Sequence, residues 1–114
     1  MASIGQSKEG VVGEKLRGGE GRATLFPAPL AGGEGAVTLA ARIELEPGSS
    51  VGFHRHDDDE EVYAILSGEG IFLSDEGSCP VGPGDLFVTQ RGSSHGLRNT
   101  GKEALIFFAV VARK

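Results

Sequence analysis

The sequence predicts a single all-β domain, a sandwich or a barrel, and three observations carry that expectation. Residues 37–45 alternate, with Val37, Leu39, Ala41, Ile43 and Leu45 on one side and Thr38, Arg42 and Glu44 on the other. This is the period-two pattern of a strand with one buried face. Turn signals then recur at short intervals, at Pro47-Gly48, Ser67-Gly68, Asp75-Glu76-Gly77, Pro83-Gly84 and Arg91-Gly92, and leave only strand-length segments between them. No stretch long enough for an ordinary helix carries a 3.6-residue apolar period, which argues against an α/β fold. A chain of 114 residues supports one hydrophobic core. Closing its strands into a barrel also removes exposed edges that invite aggregation.

The first 20 residues are polar and rich in glycine (Gly5, Gly10, Gly13, Gly18, Gly19). Residues 1–20 are therefore expected to form a flexible or peripheral N-terminal arm without a catalytic group, and residues 21–114 the barrel domain. A short strand at 24–26 precedes the alternating strand at 37–45. Pro47-Gly48 ends that strand and opens the next at 51–56. An acidic run leads into 61–66, which Ser67-Gly68 closes before 70–73. The following turns deliver strands at 79–81, 86–89 and 95–98, and the most apolar segment, 104–111, comes last. Gly-Gly-Glu-Gly occurs twice, at 18–21 and 32–35, and reads as two similar turns. Neither copy is followed by the Lys-Ser or Lys-Thr pair, or the helix start, of a phosphate-binding loop.

Lys and Arg number 11 against 16 Asp and Glu, a net charge of -5 that argues against nucleic acid as a partner. No apolar run reaches bilayer length, the longest being 105–112, and Met1 to Gln6 lack the basic and apolar regions of a signal peptide. A cytoplasmic protein without membrane contact is expected. Cys79 is the single cysteine, so neither an internal disulfide nor a Cys-rich zinc site is possible. Cys79 is expected to be a small, half-buried structural thiol, because a reactive one needs a low-pKa environment. Any metal must be held by His and carboxylate.

Only three histidines are present, His54, His56 and His95. Residues two apart on a strand share a face about 6.5–7 Å apart, so His54 and His56 can converge on one ion at about 2.1 Å. Asp57, Asp58, Asp59, Glu60 and Glu61 follow in succession, and one of them is expected to be a ligand. If a strand starts at Glu61, then Glu61, Tyr63 and Ile65 share one face, while Glu60, Val62, Ala64 and Leu66 share the other. Glu61 beside Tyr63 is the first choice and Glu60 the second. The remaining acids read as a solvated turn whose charge gathers cations. A pair of histidines one residue apart also arises without any ion, and the pair alone leaves both readings open.

The complete spacing is Gly48-x5-His54-x-His56-x4-Glu61-x6-Gly68, then Gly84-x5-Gln90-x-Gly92-x2-His95-x3-Asn99, with 15 residues (69–83) between the two halves. Both halves resemble the two motifs of the cupins in spacing and residue type. The departure is Gln90, where the second motif usually has a proline that stiffens the turn. Leu16-Arg17-Gly18-Gly19-Glu20-Gly21, Glu46-Pro47-Gly48-Ser49-Ser50-Val51-Gly52 and Tyr63-Ala64-Ile65-Leu66-Ser67-Gly68-Glu69-Gly70 are likewise similar to small single-domain bacterial cupins. The resemblance thus covers the chain from residue 16 onward. It implies a double-stranded β-helix, or jelly-roll barrel, often dimeric, with a metal inside held by three His and one Glu. Carried over position by position, those ligands fall on His54, His56, Glu61 and His95. Subgroup names such as oxalate-decarboxylase-like or sugar-isomerase-like rest on fold analogy and carry little functional weight.

Three neutral imidazoles and one carboxylate leave a divalent ion with one net positive charge and fill four octahedral positions, so two adjacent ones stay open. Mn, Fe, Ni, Co, Cu or Zn suits such a set. A small oxygen-bearing, acidic molecule is the expected ligand or substrate, with the ion acting as Lewis acid or as the site of O₂ activation. Tyr63 is the candidate catalytic group, able to donate a hydrogen bond to substrate or to the ligand carboxylate, and it reads equally as a core aromatic. Arg42, Arg55 and Arg98 alternate away from the site and are not carboxylate clamps. Ser93 and Ser94 lack a nucleophile elbow and read as turn residues. Phe53, Phe72, Phe87, Phe107 and Phe108 are expected to line the core or an interface. The segment 105–112 offers more apolar surface than one face needs, so a homodimer is expected. Two readings of function follow: a metal-dependent enzyme (dioxygenase, decarboxylase or isomerase), or a non-catalytic module whose metal anchors a small ligand or stabilises the fold.

Overall fold

The structure is a computed structural model and describes residues 10–30 and 35–113. Among the described residues ten strands run in chain order: β1 (Val11–Glu14), β2 (Arg22–Pro27), β3 (Val37–Leu45), β4 (Ser50–Arg55), β5 (Asp59–Ser67), β6 (Gly70–Ser74), β7 (Gly77–Val81), β8 (Leu86–Thr89), β9 (Ser94–Asn99) and β10 (Leu105–Arg113). They form a six-stranded sheet ordered β1-β2-β3-β10-β5-β8 and a four-stranded sheet ordered β4-β9-β6-β7. Every pairing is antiparallel. These are the two facing sheets of a double-stranded β-helix, and the nine expected strands all form.

Alternation decides what each strand buries. β3 turns Ala41, Ile43 and Leu45 inward, and β10 turns Leu105, Phe107 and Ala109 inward. Ile65, Val51, Phe72, Val81 and Leu97 complete the core between the sheets. Burying a Leu or Phe side chain fully contributes about 1.5–3 kcal/mol, so Leu45, Leu97, Leu105 and Phe107 anchor the barrel. At the end of β9 the buried Asn99 amide donates to the carbonyls of Leu45 and Glu103, and its Oδ1 accepts from the Gly101 amide, which closes the turn into β10. Of the five phenylalanines expected in the core or at an interface, Phe107 and Phe72 are buried, Phe87 packs partly against them, and Phe53 and Phe108 stand about half exposed.

β1 is the strand the pattern did not announce. Its two valines are largely exposed, so no alternation marks it, and its order comes from pairing with Ala23, Thr24 and Leu25 of β2. After β1 a 3-10 turn at Leu16–Gly18 folds over β4. Lys15 and Arg17 both adopt positive φ, 50° and 53°, at a cost of about 1 kcal/mol each for residues that carry a Cβ. The expected N-terminal arm thus has a paired, packed stretch at residues 11–21, while residues 1–9 lie outside the described ones. The first Gly-Gly-Glu-Gly is a turn closed by the Lys15 amide on the Gly21 carbonyl. The second copy, 32–35, lies outside the described residues except for Gly35.

Cys79 departs from expectation. It is exposed on β7, an edge strand that pairs on one side only and of which only Val81 is buried.

Candidate metal centre

β4 and β9 bring the first two imidazoles together, since His54 and His95 are direct cross-strand partners. Beyond Arg55 the chain leaves β4 and places His56 in the connection to β5. There the His56 amide donates to the Ser93 carbonyl, and the His56 carbonyl accepts from the Gly92 amide. β5 comes from the other sheet and points Glu61, Tyr63 and Ile65 inward, as its alternation predicts. Both sheets and the connection between them therefore meet at one point.

The donor atoms converge. His54 Nε2 lies 3.1 Å from His56 Nε2, which lies 3.0 Å from His95 Nε2. Glu61 Oε1 stands 3.1 Å from His56 Nε2 and 3.0 Å from His95 Nε2. For bonds of about 2.1 Å, two ligand atoms at right angles stand about 3.0 Å apart, and at the tetrahedral angle about 3.4 Å. These four edges match right-angled ligation, and all the donor atoms lie within 4.8 Å of one another, so His54, His56, Glu61 and His95 could hold a metal ion.

The other ring nitrogens are held from outside. His54 Nδ1 donates to the Gly52 carbonyl at 2.7 Å and His56 Nδ1 to Asp59 Oδ1 at 2.5 Å, while His95 Nδ1 and Thr89 Oγ1 share a hydrogen bond of 2.7 Å. With the proton on Nδ1, each Nε2 lone pair faces inward, the tautomer that a metal requires. Burial lowers the His54 pKa below its ordinary 6.5. The hydrogen bond to Gly52 opposes that shift, and the charges of His95, Arg17 and His56 add to it, so the neutral ligand form is favoured.

Tyr63 is buried at 3 % exposure on the same inward face of β5 as Glu61. Burial first, then the Glu61 charge, raises its pKa well above 10, with Arg17 opposing, so the phenol stays protonated beside the carboxylate. Its ring stacks on His95 and packs edge-on against Phe107.

Every residue in the expected ligand set thus reaches the centre, and the second-choice acid Glu60 does not, being exposed on the outer face of β5. Asp57 pairs with Arg55 at the surface, and Arg42 pairs with Glu44 and lies over the Phe26 ring. Ser93 closes the turn on the Gln90 carbonyl, so backbone bonds fix the loop where the motif's usual proline is missing. Sequence reasoning missed Asp59, Thr89 and Gly52 as partners of the imidazoles. Asp59 alone left a signal, three residues after His56 in the acidic run.

A two-sheet jelly roll with three imidazoles and a carboxylate converging inside it defines a small β barrel equipped for a metal ion. The chain belongs to the cupin family: the family model for the cupin domain matches residues 41–111. It is 41% identical over 99 residues to an oxalate-binding protein of Thermotoga maritima, which covers 84% of this chain and 80% of that one. A crystal structure of a predicted oxalate decarboxylase from Thermotoga maritima superposes with TM-score 0.86 at 37% identity over 100% of both chains. A sugar phosphate isomerase from Silicibacter pomeroyi shares the fold at TM-score 0.70 and 24% identity, covering 81% of this chain and 60% of that one. No helix among the described residues is long and apolar enough to cross a membrane.

Proposed function

We propose that His54, His56, Glu61 and His95 hold one divalent transition-metal ion, and that the protein binds a small, oxygen-bearing organic acid at the two remaining positions. The observation that carries this reading is the set of 3.0–3.1 Å edges between inward-facing donor atoms, each imidazole locked from behind. When bound, the ion supplies Lewis acidity. The chain itself orients the ligands through Gly52, Asp59 and Thr89, holds a proton on Tyr63 against Glu61, and excludes water with Phe72 and Phe107. The relative described as oxalate-binding supports an acid as ligand.

Binding without turnover is favoured over a dioxygenase, decarboxylase or isomerase. Asp59, Thr89 and Tyr63 are each engaged with a ligand side chain, which leaves no proton-transfer group among them for a reaction. The test is metal analysis of untagged protein, reloading with Mn, Fe, Co, Ni, Cu or Zn, and calorimetry with oxalate alongside O₂ uptake and product assays. Stoichiometric metal, lost in His95→Ala together with thermal stability, and oxalate binding without turnover are expected. Full metal content in His54→Ala and His95→Ala overturns the site, and product formation overturns the binding reading.

The protein is further proposed to act in the cytoplasm as a homodimer. On the outer face of the six-stranded sheet, Phe108 lies opposite Ala64, which lies opposite Leu86, and Val110 lies opposite Val62, which lies opposite Val88. Phe108, Leu86 and Val88 are 47%, 66% and 58% exposed, and a second copy meeting this face would cover them. Light scattering should return twice the 11.8 kDa of one chain; the single-chain mass refutes it.

A further inference from the structure

Arg17 sits on the Leu16–Gly18 turn, and that turn is fitted onto β4 beside the histidines. A Cβ on Gly52 would collide with the Arg17 carbonyl oxygen, and one on Gly19 with the Ser50 carbonyl oxygen, so both contacts require glycine. The Glu20 amide donates to Ser50 Oγ at 2.9 Å and the Ser50 amide returns to the Glu20 carbonyl at 2.8 Å. Gly52 is also the residue whose carbonyl holds His54, so a single glycine joins the Arg17 backbone to a candidate metal ligand. Arg17 keeps a left-handed backbone, φ 53° and ψ 35°, conformations that persist where surrounding structure imposes them and that gather at ligand clamps.

The described arginines divide into paired and unpaired ones. Arg22, Arg42 and Arg55 pair with Glu46, Glu44 and Asp57. Among the described residues the guanidiniums of Arg17, Arg91 and Arg98 have no such hydrogen bond or ion pair, and of these three only the Arg17 charge bears on both His54 and the buried Tyr63 phenol.

We propose that Arg17 determines specificity as an anion clamp, taking the outer carboxylate of a short organic diacid whose other carboxylate binds at the His54, His56, Glu61, His95 centre. This rests on the metal-and-acid reading above. A divalent ion with Glu61 carries one net positive charge, so a dianion leaves one negative charge uncompensated, close to the acidic run 57–60. Arg17 supplies the missing cation, and its planar fork matches a carboxylate with two parallel N–H donors. A monoacid needs no such partner.

The experiment is calorimetric titration of Mn-loaded wild type, Arg17→Asn and Arg17→Lys with oxalate, malonate and acetate. Asn removes the charge and tolerates the left-handed backbone, whereas Lys keeps the charge without the fork. Oxalate affinity should fall about tenfold or more in Arg17→Asn and less in Arg17→Lys, with metal content unchanged and acetate binding altered less than about twofold. As a readout independent of the variants, phenylglyoxal modification of Arg17 in the wild type, followed by mass spectrometry, should be slowed by oxalate and not by acetate. Wild-type oxalate affinity in Arg17→Asn, or a modification rate indifferent to oxalate, overturns the clamp while leaving the metal-and-acid reading intact. Failure of the loaded wild type to bind any of the three acids instead overturns that reading, and the clamp with it.

Discussion

The Tyr63 ring lies 4.7 Å from the His95 imidazole, inclined to it by only 20°. Tyr63 belongs to β5 of the larger sheet and His95 to β9 of the smaller, so this stack joins the two layers at the point where the core becomes polar. Phe107 and Phe72 pack on its other sides. Position of the polar cluster and packing of the core are therefore one problem, and a substitution can separate them only if it keeps the ring.

Tyr63→Phe keeps the ring and removes the protonated hydroxyl beside Glu61. Metal affinity should weaken about tenfold, because the carboxylate loses the polar group beside it, while packing is retained. Tyr63→Ala should instead cost about 3–5 kcal/mol of stability by leaving a cavity. Competition with a chelating dye and urea unfolding separate the two effects. Unchanged metal affinity in the Phe variant would remove Tyr63 from the centre.

Asp59→Asn and Thr89→Val test the outer hydrogen bonds, at 2.5 Å to His56 and 2.7 Å to His95. Each should lower metal affinity about 10–100-fold without changing the ligands themselves. Thr89→Val should also destabilise the metal-free protein, since it leaves the buried His95 Nδ1 without a partner, at a cost of about 1–3 kcal/mol. Metal titration and thermal unfolding of the apo form are the measurements, and wild-type affinity in both variants would show the imidazoles to be held by packing alone.

Strand-level structure was legible in the sequence because alternation and turn residues are local properties. β3 reads inward at Ala41, Ile43 and Leu45 and β5 at Glu61, Tyr63 and Ile65, as their period requires. The ligand set came from spacing and resemblance. The groups behind the ligands were hidden for a physical reason: Thr89 meets His95, and the turn carrying Arg17 meets Gly52, only through strand pairing and a contact between distant segments. Composition misleads in the same way at residues 11–21, where abundant glycine suggests mobility and close packing is its actual use. At Cys79 the neighbours in sequence are uninformative, since exposure follows from edge position.

The metal-free protein should lose stability as pH falls. Burial holds the folded-state pKa of His54 below the 6.5 that the unfolded chain retains. Between those values the unfolded state binds a proton that the folded state does not, so stability rises with pH through the window and is lost as pH drops below 6.5. Thermal unfolding of apo wild type and His54→Gln from neutral pH downward checks this, with a shallower slope expected for the variant. Equal slopes would show that His54 does not contribute. Added metal occupies the same Nε2 and should shift the loss to lower pH.

Gly52→Ala should act on two properties at once. The added Cβ meets the Arg17 carbonyl oxygen and the Gly19 nitrogen, both backbone atoms, so no side-chain rotation relieves the contact. Either the N-terminal turn lifts from β4 or β4 itself shifts, at a cost of about 1–3 kcal/mol. A shift of β4 moves the Gly52 carbonyl from His54 Nδ1, which frees the imidazole to rotate and weakens metal binding as well. Gly35→Ala is the control, since among the described residues nothing lies within 4 Å of a Cβ there; it should be neutral or slightly stabilising. Urea unfolding and metal titration distinguish the two modes of relief. Lost stability with intact metal affinity would mean that the turn lifts alone, and losses in both would mean that the turn and the centre share one rigid strand.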